Sequence, residues 1–286
     1  MNNKNISPLI DAGKVRSLNN AKVIIVDARG GADAYKRYME GHLDGAVFMD
    51  LETDLSGRGP DAAIGGRHPL PDVRKFGVRL GEVGITPSSH VLVYDDKAGA
   101  NAAARFWWMM RAVGHSRIQV IDGGLKALQQ EGYSIVKTPE REGGATTPYP
   151  VSSWSLPLAD IVEVERARNQ AGAVVIDVRE GYRYRGESEP IDLIAGHIPG
   201  AINIPYLDNL DDDGKFRDAN SLAAHYRNVI GNRPAENIIV HCGSGVTACH
   251  TLLAMETAGL EPGKLYVGSW SEWSRNQKPI ASGDKP

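Results

Sequence analysis

The sequence NIIVHCGSGVTACH at residues 237–250 joins a short apolar run, a cysteine, a glycine-containing turn and the start of a helical stretch. Residues 238–240 are typical of a buried parallel strand, which places Cys242 at its carboxyl end, where open α/β sheets carry their sites. The next residues turn the chain into a helix whose first amides point back at the sulfur. Because a helix N-terminus and free N–H donors favour the thiolate, the sequence predicts an exposed, reactive cysteine rather than a structural one in the core.

Length and composition narrow the class further. A chain of 286 residues is near the size at which one core stops growing, so we expect two domains. A net charge of −3 gives no general attraction to nucleic acid or to an anionic membrane, and we expect neither as a partner. With two cysteines there is no disulfide framework and no four-cysteine metal site, and we expect no metal and no cofactor. The first residues, MNNKNISPLIDAG, lack a basic segment followed by an apolar one, which favours the cytoplasm.

Four blocks of sequence recur in the same order in the two halves of the chain. VIIVDAR (23–29) returns as VVIDVR (174–179), GHLDGAVFMDL (41–51) as GHIPGAINIPYL (196–207), HVLVYDD (90–96) as NIIVHCG (237–243), and VGHSRIQVIDGGLKAL (113–128) as AGLEPGKLYVGSWSEW (258–273). Each half alternates short apolar strands with helical stretches, so the sequence predicts a duplicated α/β domain, each copy a mostly parallel sheet flanked by helices on both faces. We expect domains at 1–136 and 158–286, joined by a proline-containing linker at 137–157.

The duplication separates features of the fold from candidates for function. Residues kept in both halves are interpreted as fold features: Asp27 and Arg29 with Asp177 and Arg179, and His42 with His197. The sulfur is not kept, because the first half carries Asp95 where the second carries Cys242. A carboxylate cannot do thiol chemistry, so we expect the second half to be catalytic and the inactive first half to form a wall of the cleft.

These residues resemble the tandem-domain rhodaneses over nearly the whole chain. The resemblance rests on the loop CGSGVTA, on Asp95 in place of the first cysteine, and on GHIPGAINIP (196–205) and GSWSEW (268–273). Within that family the loop is similar to that of 3-mercaptopyruvate sulfurtransferases, whereas thiosulfate sulfurtransferases carry Arg and Lys after the cysteine. The resemblance implies a persulfide on Cys242, release of pyruvate, and transfer of sulfur to a thiol such as thioredoxin or glutathione, or to cyanide. Thiosulfate as the donor and a non-catalytic rhodanese-like binding protein are the alternatives.

The chemistry of the loop favours the same small-molecule donor. Thiosulfate is a small dianion with its charge close to the transferred sulfur, and the loop residues Gly243 and Ser244 provide N–H and hydroxyl donors but no cation. 3-Mercaptopyruvate carries one carboxylate some bonds from its sulfur, and a ketone oxygen. The loop residues expected to hold substrate and persulfide by their amides are Gly243, Gly245, Val246 and Thr247.

One arginine is a candidate for the substrate carboxylate. Arg183 lies in REGYRYRGESEP (179–190), and we find no basic residue at the equivalent place in the first half, near Asp33. The resemblance aligns Arg183 with the family's carboxylate-binding arginine, while the alternative is a solvated surface arginine. A second arginine often follows the Glu-Pro of this loop in the family. Here Ile191 follows it, which leaves the second anchor open, with Arg185 as one candidate.

The resemblance also implies a hydrogen-bonded triad. Asp54 and His68 of the first half, with Ser244 of the cysteine loop, match residues proposed in the family to polarise the ketone or tune the thiol. The alternative for His68 is a loop histidine bonded to the backbone.

Several other residues are interpreted as structural. We expect Cys249 to pack against the sheet rather than pair with Cys242, and His241 to be a buried strand residue. The tryptophans expected in the core are Trp107, Trp108, Trp270 and Trp273. A phosphatase is excluded because no arginine lies between Cys242 and Arg275 to bind a phosphoryl group.

Overall fold

The structure is a computed structural model and describes residues 6–18, 23–138 and 147–286. It divides into two units. Unit 1 contains Met1–Gly57, Leu70–Ser155 and Asp213–Lys215, and unit 2 contains Arg58–Pro69, Leu156–Asp212 and Phe216–Pro286. Residues 139–146 of the predicted linker lie outside the described residues, so the linker bounds stay a prediction. Residues 58–69 come from the first half of the sequence but belong to unit 2, which the repeat alone did not indicate.

Unit 1 is a parallel sheet with helices. Its strands are β1 (Leu9–Asp11), β2 (Val23–Arg29), β3 (His42–Leu43), β4 (Val47–Asp50), β5 (His90–Tyr94), β6 (Ile118–Asp122) and β7 (Ile135–Val136). Its helices are α1 (Ala34–Glu40), α2 (Val73–Glu82), α3 (Ala102–Ala112) and α4 (Gly124–Gln130). The sheet order is β1-β6-β5-β2-β4, and every pairing in it is parallel. β3 and β7 form a separate antiparallel pair.

Unit 2 repeats the same topology. Its strands are β8 (Leu158–Ala159), β9 (Val174–Asp177), β10 (Ala201–Asn203), β11 (Ile238–His241) and β12 (Lys264–Tyr266). Its helices are α5 (Ile161–Ala167), α6 (Gly181–Tyr184), α7 (Ala219–Ile230), α8 (Thr247–Thr257) and α9 (Ser269–Trp273). The order β10-β9-β11-β12-β8 is that of unit 1 strand for strand, again all parallel. The predicted duplicated α/β architecture, with helices flanking both sheets, is confirmed.

The central strands and the helices after them form the core of each unit. All residues of β5 and of β11 are buried, as expected for parallel strands covered on both faces. The helix predicted to follow the cysteine loop is observed as α8, and Gly259 follows it with φ of +70°, a conformation that ends helices readily. The four tryptophans named above are buried in the core, as predicted.

The residues shared by both halves perform the same structural task twice. Arg29 Nη2 donates to Asp27 at 2.6 Å and to the Gly41 carbonyl at 2.7 Å. In unit 2, Arg179 Nη2 donates to Asp177 at 2.6 Å and to the Gly196 carbonyl at 2.7 Å. These buried pairs tie the end of β2 or β9 to the following Gly-His turn, which confirms that they belong to the fold.

The two Gly-His histidines also have matching surroundings. His42 stacks on Tyr38 with ring centroids 3.8 Å apart, and His197 stacks on Tyr184 at 3.7 Å. Each Nδ1 lies 2.8 Å from the carbonyl of the tyrosine on which it stacks. Both histidines are therefore structural, as predicted. Within the described ranges, no helix is long and apolar enough to cross a membrane.

Candidate active site

Cys242 follows the last residue of β11, at the carboxyl edge of the unit 2 sheet. Its backbone is held by the start of α9: the Cys242 N–H donates to Ser269 Oγ at 3.2 Å, and the Cys242 carbonyl accepts from the Trp270 N–H at 3.0 Å. The Gly243 carbonyl accepts from the Ser271 N–H at 2.8 Å. The start of the cysteine loop is therefore fixed by strand and helix together.

The thiol is less accessible than the sequence predicts. Cys242 is only 2% exposed, and Gly243 to Val246 are buried with it, so the expectation of an exposed sulfur is wrong. The physical reason is local, because the chain turns from β11 into α8 within a few residues and packs against α9.

Two glycines of the loop lie close to neighbouring groups, and one of them is required to be glycine. Gly245 has φ of +74°, and a Cβ there would lie 2.5 Å from the Val267 carbonyl oxygen. A Cβ on Gly243 would lie 3.2 Å from Arg67 Nη2 and 3.3 Å from Arg183 Nη2. The missing side chain of Gly243 thus leaves two guanidinium groups facing the same point, one residue from the cysteine.

The second cysteine packs as predicted. Cys249 lies on α8, is fully buried, and its Sγ is 3.4 Å from the Gly245 carbonyl. His241 is likewise a buried strand residue, and burial lowers its pKa.

Residues 58–69 are fastened to α9 and its surroundings. The Gly65 N–H donates to Glu272 Oε1 at 2.8 Å, and the Arg67 N–H donates to Ser271 Oγ at 3.0 Å. Gly66 has φ of +79°, and a Cβ there would lie 2.4 Å from the Gly268 carbonyl oxygen, so only glycine permits this approach. The segment delivers Arg67 and His68 to the cysteine loop.

Two of the three predicted triad residues meet in unit 2. His68 Nδ1 lies 2.7 Å from Ser244 Oγ, and both side chains are buried. Asp54 belongs to unit 1, where its carboxylate accepts from the Asp50 N–H at 2.9 Å and lies 3.3 Å from Arg79 Nε. The contribution of Asp54 to the triad stays a prediction.

Arg183 is held in place by a buried carboxylate. Its Nη2 donates to Glu189 Oε1 at 2.7 Å and its Nε to Glu189 Oε2 at 3.2 Å. Burial acts to lower the pKa of Arg183, but the hydrogen bond and charge of Glu189 outweigh it, and the pKa is raised. Arg183 is therefore a buried, fixed cation and not a solvated surface arginine. Arg185 is 36% exposed and pairs with Glu187 at 2.6 Å.

The expectation that Arg183 has no basic counterpart in the first half is wrong. Arg37 precedes Tyr38 as Arg183 precedes Tyr184, and the two tyrosines are equivalent because each stacks on its Gly-His histidine. The comparison by sequence alone missed this match because α6 is shorter than α1 and the blocks around it are dissimilar.

Sequence reasoning also missed a cluster of three arginines around one aspartate. Asp192 Oδ1 lies 3.0 Å from Arg67 Nε and 3.1 Å from Arg275 Nη1, and Asp192 Oδ2 lies 3.7 Å from Arg183 Nη2. We call Arg67, Arg183, Arg275 and Asp192 the arginine cluster. Its members come from three separate stretches of the sequence, and the available signal was the position of Arg67 directly before the candidate His68.

The fold and the site define a class of protein: a duplicated parallel α/β domain in which one copy carries a cysteine loop and the other an aspartate. The chain belongs to the rhodanese family. A family model described as "Rhodanese-like domain" matches residues 11–131 and again 160–276.

Individual relatives match over most of the chain. A Pseudomonas aeruginosa protein named "Probable 3-mercaptopyruvate sulfurtransferase" is 36% identical and covers 93% of this chain and 95% of its own. The thiosulfate sulfurtransferase of Rattus norvegicus is 33% identical over 87% of this chain and 83% of its own. The solved structure of 3-mercaptopyruvate sulfurtransferase from Leishmania major superposes with a TM-score of 0.81 at 29% identity, covering 95% of this chain and 75% of that one. These names agree with the sulfurtransferase class predicted from the sequence.

Proposed function

We propose that this rhodanese-family protein transfers sulfur from 3-mercaptopyruvate, through a persulfide on Cys242, to a thiol or to cyanide. The observation that carries the proposal is the placement of Arg67 and Arg183, whose Nη2 atoms both face the point beside Gly243. Guanidinium groups bind carboxylates through charge-assisted hydrogen bonds. A carboxylate held there belongs to a donor whose sulfur reaches the neighbouring Cys242.

In unit 1 the equivalent arginine is bonded to a carboxylate of the protein itself. Asp96 follows Asp95 as Gly243 follows Cys242, and the Asp96 carboxylate accepts from Arg37 Nε at 2.7 Å. Arg37 is the counterpart of Arg183. In unit 1 the carboxylate that follows the strand contacts this arginine, whereas in unit 2 Gly243 has no side chain and Arg183 is paired with Glu189. We propose that a substrate carboxylate takes the place that Asp96 has in unit 1.

The reaction then follows from the groups in place. The Cys242 thiolate attacks the sulfur of 3-mercaptopyruvate, the carbon–sulfur bond breaks, and its electron pair leaves with the organic fragment as the enolate of pyruvate. Protonation of that enolate gives pyruvate, and the outer sulfur stays on Cys242 as a persulfide. An acceptor thiolate or cyanide then attacks the outer sulfur and regenerates the Cys242 thiolate. The loop amides from Gly243 to Thr247 would stabilise the anionic sulfur in both steps.

We propose that Ser244 and His68 act on the ketone oxygen of the donor. A hydrogen bond from Ser244 Oγ to the ketone oxygen would stabilise the negative charge that develops there, with His68 as its partner at 2.7 Å. We expect His68→Ala to lower kcat/KM about tenfold, mainly through kcat. A change of less than twofold would remove the relay from the mechanism and leave the persulfide chemistry standing.

The donor is tested by comparing substrates and arginine variants. We expect a higher kcat/KM with 3-mercaptopyruvate, followed by pyruvate release, than with thiosulfate. Arg67→Ala and Arg183→Ala should each raise KM for 3-mercaptopyruvate roughly tenfold or more. The matched control is Arg185→Ala, an exposed arginine of the same segment, which should change KM less than twofold. Equal effects of all three substitutions would contradict the assignment of the carboxylate site.

Thiosulfate is the second candidate donor, because guanidinium groups attract any small anion. A higher kcat/KM for thiosulfate than for 3-mercaptopyruvate would favour it. A non-catalytic binding role would instead be indicated if protein incubated with either donor released no thiocyanate on addition of cyanide.

The acceptor and the compartment are also proposals. Thioredoxin and glutathione are the thiol acceptors we favour, to be ranked by the rate at which each removes the outer sulfur from loaded protein. Neither Cys242 nor Cys249 is in a disulfide, which supports a reducing cytoplasm and is tested by cell fractionation.

A further inference from the structure

We infer that Asp192 is a specificity-determining residue, whose negative charge makes the donor site prefer a singly charged donor to a dianion. The inference rests on the proposed function and concerns the same site. Nothing in the sequence marked Asp192, which lies between apolar residues in a loop.

Two backbone hydrogen bonds to Glu189 fix the turn that directs the Asp192 side chain inward. Glu189 Oε1 accepts hydrogen bonds from the Ile191 N–H at 3.0 Å and from the Asp192 N–H at 3.1 Å. The side chains on either side point outward, with Ile191 55% and Leu193 76% exposed, while the Asp192 carboxylate is completely buried. A loop that exposes its apolar residues and buries its charged one reverses the usual preference, and a buried charge needs partners.

Those partners belong to the site that we assign to the donor. Arg67 and Arg275 both contact Asp192 Oδ1, so this carboxylate offsets part of their charge and holds the Arg67 side chain. For a Cβ placed on Gly243, the three nearest atoms are the two guanidinium nitrogens and Asp192 Oδ2, the last at 3.6 Å. The point beside Gly243 is therefore lined by two cations and one fixed anion, and Glu189 is a second carboxylate bonded to Arg183.

The fixed anion discriminates between donors by charge. A donor at this point meets Asp192 as well as the guanidinium groups, and a single carboxylate brings one negative charge to it. Thiosulfate brings two negative charges in a smaller volume, so the repulsion from a buried carboxylate at close range acts on both. Removing the negative charge of Asp192, with its shape kept, should therefore favour thiosulfate more than 3-mercaptopyruvate.

The test is the ratio of kcat/KM for thiosulfate to kcat/KM for 3-mercaptopyruvate in Asp192→Asn. We expect the ratio to rise about tenfold, with the gain for thiosulfate appearing in KM rather than in kcat. The matched control is Glu187→Gln, which removes one negative charge from the exposed surface of the same loop and should leave the ratio within twofold. A ratio in Asp192→Asn that also stays within twofold of the wild type would overturn the inference.

A second variant keeps the inference testable if Asp192→Asn fails to fold. Arg275→Met removes a cation that contacts Asp192 and leaves the aspartate in place, so the ratio should fall. A rise, or no change, would contradict the inference. The rate of persulfide formation in intact-mass spectra replaces kcat/KM where turnover with thiosulfate is slow.

The two proposals fail in different ways. If the wild-type protein forms no persulfide with either donor, the proposed function is wrong. If it forms one with 3-mercaptopyruvate and the ratio is the same in every variant, the sulfur transfer stands and only the role of Asp192 is wrong.

Discussion

The loop after β5 in unit 1 and the loop after β11 in unit 2 occupy equivalent positions in the fold but begin with different residues, a carboxylate in one and a thiol in the other. In unit 1 the Asp95 carboxylate fills its own loop, accepting hydrogen bonds from the N–H groups of Lys97 at 2.8 Å, Gly99 at 2.7 Å, Asn101 at 3.1 Å and Ala103 at 3.2 Å. In unit 2 Cys242 stands at that position. The comparison teaches that the fold builds an anion-binding loop at the end of its central strand, and that one copy occupies the loop permanently with its own carboxylate.

The next residue extends the comparison to the arginine. Asp96 pairs with Arg37 within unit 1, whereas in unit 2 Gly243 has no carboxylate to offer Arg183, which is held by Glu189 from its own loop. Unit 1 thus has two carboxylates, Asp95 and Asp96, where unit 2 has Cys242 and Gly243. We call the unit 1 loop closed, because its own carboxylates take the positions at which we expect the thiol and the substrate in unit 2. The predictions below exchange or remove these groups.

The largest effect is expected from Cys242→Asp, which copies unit 1 into unit 2. The carboxylate can accept from the loop amides, so the protein should stay folded, but no persulfide can form. We expect kcat/KM to fall at least about 1,000-fold. Pyruvate release at more than a few per cent of the wild-type rate would show that the thiol is not the nucleophile.

Gly243→Asp places in unit 2 the carboxylate that Asp96 supplies in unit 1. Its side chain would compete with substrate for Arg67 and Arg183, as Asp96 occupies Arg37. We expect KM for 3-mercaptopyruvate to rise about 100-fold, which corresponds to about 2.7 kcal/mol of binding free energy. Gly243→Ala, which adds the Cβ without the charge, is the control and should have a clearly smaller effect. Equal effects would mean that space, not charge, determines the loss.

Asp95→Ala removes the carboxylate that accepts the N–H groups of the unit 1 loop. Burial raises the pKa of Asp95 and outweighs the four N–H bonds that act to lower it. Four N–H groups would lose their acceptor, so we expect the free energy of unfolding to fall by about 2 kcal/mol in urea titrations. Activity per folded molecule should change less than threefold. Unchanged stability would contradict the view that the carboxylate holds the loop.

The pH dependence of stability in Glu189→Gln tests the contribution of the Glu189–Arg183 pair. Burial acts to raise the pKa of Glu189, but the Arg183 hydrogen bond and the backbone N–H bonds outweigh it and hold the pKa below its ordinary value of 4.5. The stabilisation is therefore present above pH 4.5 and disappears as the pH falls through the lower folded-state pKa. We expect the variant to lose about 1 kcal/mol near neutrality, with the difference in Tm from the wild type narrowing below pH 4.5. A difference that widens on acidification would contradict this account.

The fold could be predicted from the sequence because the repeated blocks coincide with the parallel strands. The apolar runs at 174–179 and 238–240 and the helix after the cysteine loop are local signals, and the structure has a strand or a helix at each. The arginine counterpart was missed because Arg37 and Arg183 lie on helices of different length in poorly matching sequence.

From the residues alone the site could be predicted only where it depends on local sequence, whereas the pairing of His68 with Ser244 was predicted from the resemblance to the family. Cys242 and the glycines of its loop carry their own signature. Arg67 reaches unit 2 through a segment whose position depends on contacts with α9, and Asp192 points inward because Glu189 caps its turn. Such contacts join residues distant in sequence, or depend on a side chain accepting from a particular N–H, and no local pattern records them.

The most direct test of the central claim is the intact mass of the protein after incubation with 3-mercaptopyruvate in the absence of an acceptor. We predict that the wild type gains the mass of one sulfur atom, that cyanide removes it as thiocyanate, and that Cys242→Ser gains nothing. A wild-type protein that stays unmodified while the donor is consumed, or a Cys242→Ser variant that still takes up sulfur, would contradict the account.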